Sequence, residues 1–166
     1  MKTTLTPKIN LDPHVDHFMK ETIEVARSNP MAPYGAIIVY DDREILFKSV
    51  NSANNHPLMH GELSVIHALF SDGFDGDKSK LSLYSTAEPC PMCAAAVYWA
   101  MIPKVFYGSS ISFLHGLFGR QIQIGAKEIL TSTPNFYEVE LVSGVMEEHC
   151  NDLFLKAKLL QGNQHD

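Results

Sequence analysis

No stretch of this sequence is apolar for about 20 residues, the length a membrane-spanning helix needs, so no membrane partner is expected. Cysteine is scarce and odd in number, three among 166 residues, which leaves no disulfide framework of the kind that staples small secreted folds. No basic segment followed by an apolar run opens the chain, so no secretory leader is expected. Internal repeats and low-complexity tracts are missing too, which excludes solenoids and linker-like chains. Basic residues are outnumbered, 13 Lys and Arg against 19 Asp and Glu, for a net charge of −6; nucleic-acid binders usually carry a basic excess. These absences point to a cytoplasmic protein. In that reducing setting a close cysteine pair binds metal or serves catalysis more often than it forms a disulfide.

What is present is ordinary globular composition, 45% apolar and 19% charged. The length fits one domain over residues 1–166, with the patternless residues 1–10 loosely ordered. From Asp12 a pattern sets in. Asp12 can cap, Pro13 suits a first helical position, and Val15, Phe18, Met19, Thr22, Ile23 and Ala26 share a face, which predicts a helix ending near Ser28. "YGAIIVY" and "EILFKSVN" read as strands joined by the short polar "DDR", a hairpin. "HGELSVIHALF" predicts a helix with Leu63, Ile66, His67 and Phe70 on one face, and His67 in the core or between helices. "SDGFDGDKSK" is a loop and "LSLYST" a strand. "CPMCAAAVYWAM" is a helix stopped by Pro103, with Trp99 in core or interface packing, and "KVFYG" is a further strand. Residues 109–135 show only a short helix around Ala126 to Leu130. "YEVELVSG" predicts a last strand and "EEHCNDLFLKAKLL" a last amphipathic helix, with Cys150 packing as a small apolar residue. His14, His17, His149 and His165 carry no motif and are expected at the surface.

The central order is strand, helix, strand, helix, strand. Right-handed crossovers put both connecting helices on one face of a parallel stretch and start them at the same sheet edge, where α/β folds bind ligands. "HGE" and "PCPMC" should therefore meet at neighbouring helix N-termini. Cys90 and Cys93 are spaced i, i+3 in a first helical turn, where the helix dipole favours thiolates. With His60 they make three zinc ligands, leaving the fourth tetrahedral position open, as in catalytic rather than structural sites. Glu62, two residues after His60, can point at that position without binding the metal. Zinc lowers the pKa of a bound water from about 15.7 to roughly 7, and a neighbouring carboxylate can move its proton. Two other readings compete. A lone CxxC can be a thioredoxin-like redox pair, which leaves His60 and Glu62 unexplained. A closed structural zinc clip needs a fourth ligand, for which Cys150, His56 and His67 are the candidates.

"HGE" followed by "PCPMC" resembles the H-x-E…P-C-x-x-C pattern of zinc-dependent nucleobase and nucleoside deaminases, the cytidine deaminase-like superfamily. The likeness runs from "PYGAIIV" through the terminal helix and is strongest in "STAEPCPMCAAAVYWA". It implies a three-layer α/β/α sandwich with a mixed sheet of about five strands, one zinc per chain on His60, Cys90 and Cys93, Glu62 as proton shuttle, and a homodimer. It also implies that Asn51 hydrogen-bonds the base and that Gly61, where the family more often has alanine, faces the pocket through its backbone. Met101 stands where an arginine is common. "EPCPMC" with "AVYWA" is similar to guanine deaminases, whereas the tail is more like tRNA adenosine deaminases. The loop "SSISFLHGLFGR" lacks the acid that guanine deaminases place near the base. Its Phe113, Leu114, Leu117 and Phe118 are expected to cover a flat base or a subunit contact. The function this implies is hydrolytic removal of an amine, as ammonia, from a free nucleobase-like heterocycle or nucleoside, a purine such as guanine. A tRNA-specific adenosine deaminase is the alternative, disfavoured by the acidic balance and the few cations near the pocket, Arg120, Lys156 and Lys158. A non-catalytic zinc-binding protein on the same fold is the other alternative.

Overall fold

The computed structural model describes residues 12–132 and 137–162. Helix α1 spans Pro13–Ala26, with Asp12 Oδ1 accepting from the His14 N–H at 3.0 Å and proline in the first turn. Its buried residues are the six the periodicity predicts, Val15, Phe18, Met19, Thr22, Ile23 and Ala26. It stops two residues short of Ser28. The reading of residues 1–10 and of His165 falls outside the described residues, whereas His14, His17 and His149 are exposed as expected.

Strands β1 (Gly35–Tyr40) and β2 (Glu44–Val50) form the expected antiparallel hairpin. Its turn holds Asp41 and Asp42 at φ 54° and 53°, the left-handed pair whose twist matches that of the flanking strands, and aspartate tolerates this conformation better than most residues. Strands β3 (Leu81–Ala87), β4 (Lys104–Ser109) and β5 (Glu140–Val142) complete a five-stranded sheet in the order β2-β1-β3-β4-β5. β3 is antiparallel to β1 and parallel to β4, and β4 is parallel to β5, so the sheet is mixed. The sequence order suggests β2, β3 and β4 side by side; instead β1 lies between β2 and β3, because the tight hairpin keeps β1 beside β2 and its all-apolar run needs a neighbour on each edge.

Alternation in β1 sorts the layers. Ala36 and Ile38 face the cluster formed with α2 (Gly61–Ser71) and α3 (Pro91–Ala100), and Ile37 and Val39 face α1 and α6 (Glu147–Gly162). All seven residues of β3 are buried, which makes it the middle of the three-layer sandwich. Each fully buried Leu, Ile or Val side chain here is worth about 1.5–3 kcal/mol over leaving it in water.

Several expectations change. Helix α2 turns Glu62, Val65, Ile66 and Leu69 inward; of the expected face Leu63, Ile66, His67 and Phe70, only Ile66 is buried. The buried set is rotated because Glu62 must enter the site, and this leaves His67 exposed rather than in the core. Trp99 is 73% exposed, which removes core packing as its role. Helix α4 (Ile111–Phe118), capped by Ser110 Oγ on the Phe113 N–H at 3.2 Å, lies where the sequence pattern is weak. It escapes periodicity because only Ile111 and Leu114 are fully buried; Phe113, Leu117 and Phe118 are half-buried against Ala87 and Phe154. The last strand is three residues, shorter than "YEVELVSG", since pairing with β4 ends at Val142. α5 spans Ala126–Leu130 as expected. Among the described residues no helix is long and apolar enough to cross a membrane.

Cys150 is fully buried and packs against Gly108 of β4, where an added Cβ would overlap the cysteine Sγ and stand 2.6 Å from its Cβ. Overpacking of this kind costs about 1–3 kcal/mol. Gly108→Ala is therefore expected to lower the unfolding free energy by that much, read as a reduced urea midpoint at an unchanged denaturant slope. An unchanged midpoint would contradict the close packing of α6 on β4.

Candidate metal centre and active site

The N-termini of α2 and α3 meet at one end of the sheet. His60 is the N-cap of α2 and Cys90 the N-cap of α3, both with extended backbone, and neither side chain caps its own helix. Serine or aspartate at either position would stabilise the helix by about 1 kcal/mol. The two positions instead turn their side chains toward each other. Cys90 Sγ lies 3.5 Å and Cys93 Sγ 3.7 Å from His60 Nδ1. Two ligands at about 2.3 Å (S) and 2.0 Å (N) around a tetrahedral zinc stand about 3.5 Å apart, so the spacing fits the ion.

The chemistry of the donors fits as well. The Cys93 thiol hydrogen-bonds Cys90, which, with His60, holds Cys90 down to about 4. The same bond, with burial, pushes Cys93 well up. The pair thus shares one proton that a metal would displace. The Cys90 contact raises the His60 pKa. Among the described residues, His60, Cys90 and Cys93 form the only such ligand group, their ligand atoms all within 4.8 Å of one another. Cys150 is packed on Gly108, and His56 and His67 are exposed, so none of the three candidates supplies a fourth ligand. All three cysteines are free, and the redox reading still leaves the histidine and the acid without a role.

Glu62 is 3% exposed and lines the same cavity as His60 and Cys90 without joining the ligand group. Burial pushes its carboxyl up to about 7, with the Cys90 charge adding to the rise and His60 and Ser85 opposing it. Ser85 Oγ donates to Glu62 Oε1 at 3.0 Å and accepts the Ala87 N–H at 3.3 Å, so β3 orients the carboxylate from below. The cavity is about 210 Å³, smaller than the roughly 300–1,000 Å³ of drug-sized ligand sites. It admits a flat ring and little more.

Asn51 lines this cavity. Its carbonyl accepts Asn29 Nδ2 at 2.9 Å and its N–H donates to the Tyr34 carbonyl at 2.9 Å, so the backbone is held from both sides. Gly61 is buried but does not line the cavity; its Cα faces the Tyr34 carbonyl, and a Cβ there would stand 2.5 Å from that oxygen. What requires glycine is the close approach of α2 to β1, rather than contact with the pocket.

Several residues in or around the cavity have no signal in sequence spacing. Tyr34, Leu114, Arg120 and Gln121 line it from segments distant in the chain. Only Leu114 of the "FLHGLF" cluster does so. Burial, and secondarily the Glu62 charge, pushes the Tyr34 phenol up to about 12. Glu88 ties the far wall: its Oε2 accepts the Ile111 N–H and its Oε1 the Ala126 N–H, both at 2.8 Å, at the starts of α4 and α5. The one hint in the sequence is the polar pair Ser85 and Thr86 at the end of the strand read from "LSLYST". Thr86 Oγ1 accepts the Gly35 N–H at 3.0 Å and donates to the Pro33 carbonyl at 2.8 Å.

Purified protein is expected to hold close to one zinc per chain, measured by atomic absorption. Cys90→Ala should lose most of it while keeping the far-ultraviolet circular dichroism of the fold; full zinc retention would contradict the three-ligand centre.

Residues 13–109, more than half the chain, match the family model of the cytidine and deoxycytidylate deaminase zinc-binding region. The tRNA-specific adenosine deaminase of Bacillus subtilis (strain 168) is 31% identical over 145 residues, 82% of this chain and 83% of that protein. That of Rickettsia bellii (strain RML369-C) is 32% identical over 75% of this chain and 84% of its own length. The guanine deaminase of Bacillus subtilis (strain 168) is 33% identical over 55% of this chain and 62% of that protein. Among solved structures, one from studies of A-to-I editing by tRNA:A34 deaminases superposes with a TM-score of 0.67 at 30% identity, covering 82% of this chain and 98% of that one. The guanine deaminase from Nitrosomonas europaea superposes with a TM-score of 0.70 over 96% of this chain and 100% of that one, at 15% identity, a likeness of fold alone. With the His/Cys/Cys cluster beside a buried glutamate, these matches make the chain a member of the cytidine and deoxycytidylate deaminase family, zinc-dependent hydrolytic deaminases acting on cyclic amidines.

Proposed function

We propose that this chain removes the exocyclic amine of a purine-like base, with His60, Cys90 and Cys93 as zinc ligands and Glu62 as catalytic acid and base. A zinc ion held by three protein ligands supplies Lewis acidity and an ionisable water at neutral pH. Glu62 moves one proton of the attacking water to the ring nitrogen and then the second, from the hydroxyl so formed, to the leaving amine, so that C–NH₂ and water become C=O and ammonia. The observation that carries this reading is the placement of Glu62: a buried carboxyl in the same cavity as His60 and Cys90, outside the ligand group and held by Ser85. Burial also brings it up to about 7, where it can both accept and return a proton. Backbone N–H groups at the two helix starts stabilise the tetrahedral intermediate. Asn51 recognises the base: among the described residues its side-chain amide has no protein partner. Gly61 acts indirectly, letting α2 begin close against Tyr34.

Between the two purine substrates we favour adenosine carried on tRNA over free guanine. The tRNA-specific adenosine deaminases match along 75% and 82% of this chain, the guanine deaminase along 55%. The net charge of −6 supports free guanine as the second reading. The protein acts in the cytoplasm as one deaminase domain, and the large apolar side chains exposed late in α2 and α3, Phe70, Trp99 and Met101, belong to a homodimer contact.

Glu62→Ala is expected to keep its zinc and lose turnover by about 10²–10⁴-fold, read as ammonia release across guanine, adenine, cytosine, their nucleosides, triazines and a tRNA anticodon stem. Retained turnover would overturn the assignment, and a wild type inert on the whole panel would favour the non-catalytic alternative. Sedimentation should give two chains per particle at micromolar concentration, and a monomer would contradict the dimer.

A further inference from the structure

Asn51 begins where β2 ends, and β2 is an edge of the sheet. The hairpin register pairs Gly35 with Val50, so the next pair along it is Tyr34 with Asn51. A hydrogen-bonded pair in an antiparallel ladder exchanges two bonds, each N–H donating to the other's carbonyl. The first of them forms here, from the Asn51 N–H to the Tyr34 carbonyl at 2.9 Å. The second does not, because the Tyr34 N–H turns back to the Ala32 carbonyl at 2.8 Å. The Asn29 side chain, in the loop after α1, takes its place: Nδ2 donates to the Asn51 carbonyl at 2.9 Å. Its Oδ1 accepts the Ala32 N–H at 3.2 Å, and the Asn29 carbonyl accepts the same N–H at 3.1 Å. With a carbonyl on one side and an N–H on the other, the partners fix which way the amide faces. A carboxylate could serve the N–H but has no donor for the carbonyl.

Tyr34 and Asn51 line the cavity at the metal centre, and Asn29 stands behind them without lining it. On the α2 side, Gly61 closes on the same Tyr34 carbonyl that Asn51 uses. The N–H bond fixes the peptide before Asn51, and the carbonyl bond fixes the peptide after it. With the second bond lost, that peptide can rotate at the free end of an edge strand, and the Asn51 carboxamide swings with it. We propose that Asn29 is a positioning residue for substrate recognition: its amide replaces the missing ladder bond and aims the Asn51 side chain at the base. This rests on the reading of Asn51 as the residue that recognises the base. It adds that recognition is set from the loop after α1, outside "HGE" and "PCPMC".

The test is titration calorimetry on full-length, zinc-loaded Glu62→Ala protein, with guanine, adenosine and a tRNA anticodon stem as probes. The tightest of the three is carried through a set of further substitutions. Asn29→Ala removes both side-chain bonds, whereas Asn29→Asp keeps the acceptor for Ala32 and removes only the donor to Asn51. Each should weaken binding about tenfold, the upper end of what one hydrogen bond is worth. Zinc should stay close to one per chain, and the unfolding midpoint of Asn29→Asp should match its parent. Asn51→Ala should weaken binding at least as much, and adding Asn29→Asp to it should cost nothing more, since one residue acts through the other. Parent affinity in Asn29→Asp would overturn the proposal, because the turn alone would then account for Asn29. Losses that add in the double variant would also overturn it, as would undetectable binding of every probe. If Asn51→Ala weakens binding and the Asn29 variants do not, the base-recognition reading stands and the positioning role falls; if Asn51→Ala changes nothing, both fall. A protein that shows the coupling but, with Glu62 restored, releases no ammonia from any substrate keeps the positioning role and loses the deaminase reading.

Discussion

Two helices begin at the same end of the sheet with the wrong residues for a helix start, and the site depends on that. Histidine at the N-cap of α2 and cysteine at the N-cap of α3 satisfy no backbone N–H of their own helices. Their side chains are free to converge at 3.5 Å, with Cys93 following one turn later at 3.7 Å. The geometry suits a tetrahedral ion, and helix N-termini favour the thiolate form the ion requires. Stability forgone locally is recovered by packing, since both helices bury their inner faces on the cluster built over β1 and β3.

β3 carries the next level of organisation. Its apolar residues face the two helical layers, while its last polar residues serve the site in turn. Ser85 orients Glu62, and Thr86 binds the segment that brings Tyr34 to the cavity wall. Glu88, just past the strand, holds the starts of α4 and α5. The two carboxylates illustrate how surroundings set role. Glu88 accepts two backbone N–H groups, as a structural anchor does. Glu62 is buried beside the ligand cluster with a hydroxyl donor and a raised pKa, as a proton carrier needs.

Much of this could be read from the chain. The face of α1, the β1–β2 hairpin, and the strand–helix starts that carry "HGE" and "PCPMC" follow from short-range pattern, and with them the ligand cluster. The sequence did not reveal what depends on distant contact. The inward face of α2 is rotated because one of its members is an acid, which periodicity counts as outward-facing. Helix α4 hides because it rests on a small satellite cluster with Ala87 and Phe154 rather than on the main core. Tyr34, Arg120 and Gln121 come together at the cavity only in the folded chain, and no spacing rule relates position 34 to position 121. The need for glycine at position 61 is likewise a matter of one backbone oxygen nearby, which the motif alone does not disclose.

The proposed chemistry turns on a three-ligand ion with one position left for a small exchangeable ligand. X-ray absorption spectroscopy at the zinc edge on the purified protein tests that most directly. Such a centre gives two sulfur scatterers at about 2.3 Å and two nitrogen or oxygen scatterers at about 2.0 Å, one of them histidine. Three or four sulfurs, two imidazoles, or a metal bound without sulfur would contradict it.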